Sequence, residues 1–137
     1  MIKEKSCGVF AIKKENNLIK IILIRHNDGH WGFPKGHMEK GETEIETAIR
    51  ETKEETNLDV TIIPSFRKIV TYSPKEGVTK DVIYYLGIPS GDVKIDNKEI
   101  IDYKWITINE IENYINHEDH IKIINDLKDF LRETTLL

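Results

Sequence analysis

The stretch from Gly36 to Leu58, GHMEKGETEIETAIRETKEETNL, carries both a helix and its chemistry. Thr43-Glu44-Ile45-Glu46 has the form of a capping box, with the threonine placed to accept a backbone N–H and the glutamate three residues on to reach back, so a helix is expected to begin near Thr43. Asn57 tolerates a left-handed cap and Leu58 can fold back on the last turn, which ends the helix near Thr56. Within it Ile45, Ala48, Ile49 and Thr52 form an i, i+3, i+4, i+7 stripe expected to bury against a sheet. Glu51 and Glu55 flank that stripe, with Glu54 further round. At roughly 100° per residue the three carboxylates lie on neighbouring positions and are expected to point into a common volume. Such a volume suits a hard divalent cation held by carboxylate oxygens and substrate phosphates. The competing reading is a solvated amphipathic helix, since charged runs usually face water.

Working outward, Cys7–Lys13 and Leu18–Arg25 read as a β-hairpin around a polar turn at Glu15–Asn17, followed by loop from His26 to Lys35. After the helix, Asp59–Tyr72 is rich in Val, Ile and Thr and reads as one long strand interrupted near Pro64. Ser73–Thr79 connects it to a strand at Lys80–Ile88, and Asp102–Ile106 makes a short final strand. Ile108 to Leu131 is expected to be helical, split near His117, with Ile121, Ile124, Leu127 and Leu131 as its apolar stripe. Strands with one internal and one terminal helix imply an α/β fold, with helices on both faces of a mixed sheet.

With 137 residues the chain is long enough for one adequate core, and residues 1–137 are expected to form a single domain. The lone cysteine, Cys7, has no internal disulfide partner, and no signal-like or long apolar segment is present, so a reducing cytoplasm is the expected location and no membrane partner is expected. The net charge of −4 argues against nonspecific nucleic-acid binding, while leaving local lysines to hold a phosphorylated small molecule. Nothing in the sequence sets an oligomeric state.

The spacing of the central segment makes the acidic helix more than a solvated face. From Gly36, five residues lead to Glu42, seven more to Arg50-Glu51, and Glu54-Glu55 follow after two. This resembles the Nudix box, G-x5-E-x7-R-E-U-x-E-E-x-G-U, with U aliphatic. The polar and glycine positions Gly36, Glu42, Arg50, Glu51, Glu54 and Glu55 match. Thr52 stands in place of an aliphatic residue and Asn57 in place of the capping glycine, changes that touch packing and the cap rather than the chemistry.

The resemblance implies a Nudix-type α/β/α sandwich and a Mg²⁺-dependent hydrolase, with Mn²⁺ as a substitute. Glu51, Glu54, Glu55 and the Gly36 carbonyl are implied as metal ligands, and Glu51 or Glu99 as the group that takes a proton from the attacking water. Arg50 is expected to pair with Glu42 and hold the loop against the helix, directed away from the carboxylates. The preceding segment, His30-Trp31-Gly32-Phe33-Pro34-Lys35-Gly36-His37, resembles the W-x-x-P-K-G-H segment of asymmetric diadenosine tetraphosphate hydrolases. That likeness implies Lys35 and Lys80 on the polyphosphate and Tyr72 and Tyr84 around adenine. His30 is a candidate phosphate donor or a plain loop histidine; Trp31 and Phe33 either stack a base or fasten the loop to the core. Tyr84 and Tyr85 must face opposite sides of their strand, so only one of them can join a given pocket. The expected substrate is a nucleoside polyphosphate, cleaved asymmetrically to ATP and AMP when it is diadenosine tetraphosphate. Nucleoside triphosphates or RNA 5′ ends are the alternative substrates, and a noncatalytic nucleotide sensor is the alternative of another class.

Overall fold

A computed structural model describes residues 2–95 and 97–134. Its elements in chain order are β1 (Ile2–Glu15), β2 (Leu18–His26), β3 (Trp31–Gly32), β4 (Lys35–His37), α1 (Glu44–Thr56), β5 (Asp59–Lys75), β6 (Val78–Ser90), β7 (Ile100–Thr107), a 3₁₀ turn (Ile108–Asn113) and α2 (Glu118–Glu133). The expected split of the C-terminal helical region near His117 is observed: His117 caps α2, its Nδ1 accepting the Asp119 backbone N–H.

The seven strands form one mixed sheet in the order β3-β2-β1-β6-β5, with β4 alongside β1 and β7 alongside β2. The β1–β6 pairing is parallel and the others are antiparallel. Strand β1 changes partner along one edge: Ser6, Cys7 and Gly8 pair with β4, and Ile12 to Glu15 pair with β2. The β1–β2 hairpin turns at Asn16-Asn17, both with positive φ, the twist that suits a two-residue connection. At Pro64 the β5 register shifts between Ile63 and Arg67, releasing Phe66 from the ladder to bury against the core.

The sequence reading of residues 26–35 as loop needs correction. Trp31–Gly32 pairs with Ile24 and Arg25, and Lys35 continues into β4 against Gly8. The reason is Gly8, where a Cβ would stand 2.4 Å from the Pro34 carbonyl oxygen and 2.6 Å from the Lys35 Cβ; its absence lets the two backbones approach. Strand β5 likewise runs on to Lys75, so the expected Ser73–Thr79 connection shrinks to a tight turn at Glu76-Gly77.

Alternation along the strands divides the core into two layers. Phe10, Ile12, Ile21, Leu23, Val82, Tyr84 and Leu86 face one side and pack beneath α2 with Ile123, Ile124 and Leu127. Cys7, Val9, Ala11, Ile22, Ile83 and Tyr85 face the other, beneath α1 with Ala48 and Leu58. The fold is thus a sheet covered by a helix on each face. The apolar stripe of α2 is rotated from the expected one, Ile123 taking the buried place assigned to Ile121.

Candidate active site

Helix α1 begins as its sequence dictates. Glu46 N–H donates to Thr43 Oγ1 and Thr43 N–H to Glu46 Oε1, and Asn57 closes the other end at φ 69° with its N–H on the Lys53 carbonyl. The buried face is displaced from the expected one. Ile49 is 37% exposed, whereas Thr47, Ala48, Thr52, Glu55 and Thr56 are buried. A carboxylate, Glu55, therefore occupies a position that periodicity assigned to the border of the stripe.

Burial decides the chemistry of that carboxylate. It raises the Glu55 pKa to about 8, against the opposing pull of the Lys35 backbone N–H, which donates to Oε1 at 2.8 Å; the neighbouring charge of Glu51 adds to the rise. Glu51 is raised by burial as well, with Arg50 pulling its pKa down and Glu54 pushing it up. Its carboxylate lies directly over Gly36, where a Cβ would come within 2.1 Å of the carboxyl carbon. The box glycine is required for that approach alone, since its φ is not positive.

The three carboxylates are neighbours on one helical ridge, and two of them close on the same arginine. Arg50 Nη1 donates to Glu51 Oε1 at 2.9 Å and to Glu54 Oε1 at 3.1 Å, standing between them. Its direction therefore does not diverge from the cluster as the helical wheel implied. The expected pairing with Glu42 is also present, through Nε at 2.7 Å and Nη2 at 2.9 Å, and Nη2 donates to the His37 carbonyl as well. This charge-assisted fork pulls the Glu42 pKa down to about 2 and ties the 37–42 loop to the helix. Among the described residues, no three His, Cys, Asp or Glu side chains converge on one ion position.

The donor set nonetheless fits a hard divalent ion. It consists of carboxylate oxygens and a backbone carbonyl, two of the carboxyls are shielded from water, and the missing Gly36 side chain leaves the space in which Glu51 lies. The loop bearing Glu99 comes to the same end of α1. Asn97 Nδ2 donates to the Glu54 carbonyl, the Glu99 N–H donates to Asn97 Oδ1, and the Glu99 charge acts on Glu55.

On the α2 side of the sheet lies a cavity of about 350 Å³, within the range of small-molecule sites. Val70, Val82, Phe33 and Tyr84 supply apolar lining, and Trp31, Tyr72, Tyr114, Lys35 and the histidines His26, His30, His117 and His120 are also among the lining residues. Tyr72 opposes Lys80 across the β5–β6 ladder, and Lys80, Val82 and Tyr84 share a face of β6. Burial lowers the Lys35 pKa, and the adjacent Lys80 lowers it further. Two neighbouring ammonium groups, of which Lys35 lines the cavity, favour an anion.

The aromatic assignments divide. Tyr84 is 1% exposed with one ring face stacked on Phe10 at 4.7 Å and an edge contact to Phe33, so in this conformation it is a core residue at the cavity wall and cannot sandwich a base. Phe33 is likewise core. Trp31 and Tyr114 are half-buried and meet edge-on, and Tyr72 is 37% exposed, leaving these three rings at the cavity as the accessible stacking surfaces. Tyr85 faces the other layer as alternation requires, its hydroxyl donating to Glu44 Oε1. His30 stacks on His26 at 4.4 Å and is hydrogen-bonded to Asp28. Sequence reasoning did not single out Gly8, His26, His117 or His120; a histidine pair three apart at the start of an apolar helix was the available signal for the last two.

The chain belongs to the Nudix family of hydrolases, which act on phosphoric anhydride bonds, with residues 3–127 matching the NUDIX domain. It is similar to the asymmetrical bis(5′-nucleosyl)-tetraphosphatase of Sus scrofa, 32% identical over 140 residues that cover 93% of this chain and 95% of that protein. The enzyme of that name from Caenorhabditis elegans is 32% identical over 92% of this chain and 93% of its own length. The crystal structure of a C. elegans Ap4A hydrolase binary complex superposes with a TM-score of 0.88 at 28% identity, covering 96% of this chain and 99% of that one. Nudix hydrolases generally require a divalent metal. Among the described residues, no helix is long and apolar enough to cross a membrane.

Proposed function

We propose that this chain is a Mg²⁺-dependent asymmetric dinucleoside tetraphosphatase that converts diadenosine tetraphosphate to ATP and AMP. The observation that carries the reading is the double engagement of Lys35: its backbone N–H holds Glu55 on the carboxylate ridge, while its side chain lines the aromatic cavity beside Lys80. A substrate with phosphates at the ridge and a base in the cavity must pass this residue. The near-full-length likeness to asymmetrical tetraphosphatases supports the same substrate class.

In this scheme Glu51, Glu54, Glu55 and the Gly36 carbonyl hold Mg²⁺, which when bound neutralises phosphate charge and lowers the pKa of the attacking water. Lys35 and Lys80 hold the polyphosphate as point charges, their mutual repulsion relieved when an anion arrives. Glu51, raised by burial, takes the proton of the water on a carboxylate oxygen; Glu99 is the alternative acceptor at the same end of the helix. Arg50 positions Glu51 and Glu54 from its anchor on Glu42 and does not itself react. Trp31 and Tyr72 stack the anchored base.

The test is product identity. Diadenosine tetraphosphate hydrolysed in water labelled with heavy oxygen is expected to give ATP and AMP in equal amounts, the label in one of them only. Release of two ADP, or inactivity on dinucleotides with cleavage of nucleoside triphosphates or RNA 5′ ends, overturns it.

A further inference from the structure

The last carbonyls of a helix lack intrahelical partners, and at the end of α1 the chain leading into β7 supplies two of them. Lys94 N–H donates to the Thr56 carbonyl at 3.0 Å and Asn97 Nδ2 to the Glu54 carbonyl at 3.4 Å, while Asn57 Nδ2 reaches the Asp92 carbonyl at 3.1 Å. Glu99 follows two residues beyond Asn97. Its backbone is held from both sides: its N–H donates to Asn97 Oδ1 at 2.8 Å, and its carbonyl accepts the Asn27 N–H at 2.8 Å from the turn after β2. Asn97 Oδ1 takes the Ile100 N–H as well, at 2.9 Å.

Strand β7 departs from its ladder at this point. Arg25 pairs with Asp102 but His26 with Ile100, so Ile101 is left out as a bulge and stands 55% exposed. A bulge re-aims the residues beyond it, here Glu99. The demands on residue 97 are also particular. Backbone N–H groups only donate and a carbonyl only accepts, so the side chain must present an oxygen to Glu99 and Ile100 and a nitrogen to Glu54. Asparagine is the short side chain that carries both. A turn needing only the two amide bonds could use aspartate or serine; it is the carbonyl of Glu54, on the acidic helix, that calls for the amide.

We infer that Asn97 is a positioning residue for the hydrolysis, fixing the Glu99 backbone against the last turn of α1 so that the Glu99 carboxylate serves the carboxylate ridge. This rests on the proposed phosphoric anhydride hydrolysis and goes beyond it, since as the alternative proton acceptor Glu99 works only from the position that Asn97 sets. The Glu99 charge acts on Glu55 across this junction. On its other side, Asn27 ties the same backbone to the turn between His26 and His30, two residues of the cavity lining, so the loop joins the two halves of the site.

The experiment is a double-mutant cycle in steady-state hydrolysis of diadenosine tetraphosphate, repeated with ATP, using Asn97→Ala, Glu99→Gln and the pair, with Asn97→Asp as the conservative variant. Asn97→Ala is expected to lower kcat roughly 10- to 100-fold with KM within about twofold, as for a reacting group displaced by an ångström. Added to Glu99→Gln it should cost less than about twofold more, and Asn97→Asp, which keeps the acceptor for the two amides, should recover most of the loss. In the metal-free chain, amide exchange at Asn27, Glu99 and Ile100 should accelerate about tenfold or more in the alanine variant and much less in the aspartate one, with the melting temperature little changed. An Asn97→Ala loss that persists undiminished beside Glu99→Gln marks a merely structural residue and overturns the inference. So does an unaltered kcat in either single variant, or an equal loss in Asn97→Ala and Asn97→Asp. Coupling seen with ATP in a chain inactive on dinucleotides overturns only the tetraphosphatase reading, and inactivity on both substrates overturns the two together.

Discussion

Replacing Gly36 with alanine separates catalysis from folding. The added Cβ would stand 2.1 Å from the Glu51 carboxyl carbon and 2.2 and 2.4 Å from its two oxygens, against ordinary contacts of 3.4 Å or more. The carboxylate must therefore withdraw by more than an ångström. Glu51 can do so, because its atoms in contact are the far end of a flexible side chain and the Gly36 φ is compatible with alanine. Stability should change little. A proton acceptor and metal ligand displaced by an ångström is another matter, and a fall in kcat on the order of 100-fold is expected. Gly8→Ala is the contrast: its Cβ meets the Pro34 carbonyl at 2.4 Å, backbone that cannot swing aside, so it should lower the melting temperature and disturb β4. The assay is steady-state hydrolysis at saturating Mg²⁺ beside thermal denaturation. A Gly36→Ala chain that melts normally and hydrolyses at the unaltered rate would refute the placement of Glu51 at the reacting centre.

Other changes probe the remaining groups. Glu54→Gln, at a carboxylate 54% exposed, should remove most turnover and leave the melting temperature within a degree or two, measured by initial rates and calorimetry. In chelator, the raised Glu55 makes folding take up a proton between the ordinary glutamate range and about pH 8; that stability is full below the unfolded pKa and lost as pH rises through the folded one, so denaturant midpoints should fall over this window and Glu55→Gln should flatten most of the slope, with Glu51 contributing the rest. Thr52→Val should stabilise the fold by about 1 kcal/mol in urea titrations, because the Thr52 hydroxyl is buried without a partner and valine keeps its shape. Tyr72→Ala should raise KM for adenine dinucleotides several-fold with kcat little changed, and an unchanged KM would move base stacking to Trp31 and Tyr114.

The residues that announced the chemistry are local in the chain, which is why sequence alone sufficed to place them. A capping box, a left-handed cap at Asn57 and carboxylates at helical spacing depend on contacts within about four positions, and each forms as the spacing requires. Strand alternation set Tyr84 and Tyr85 on opposite faces for the same reason. What sequence could not assign was decided by groups far apart in the chain. Glu55 rather than Ile49 is buried because β4 lies over it and supplies the Lys35 N–H. Arg50 reaches Glu51 and Glu54 because its long side chain is anchored by a loop that helical geometry does not describe. Tyr84 is a wall and not a clamp because Phe10, on a strand paired in parallel from the far end of the chain, covers its face. His120 becomes part of the site only when α2 closes over the sheet and brings it to Phe33, a contact spanning most of the sequence that no local periodicity encodes.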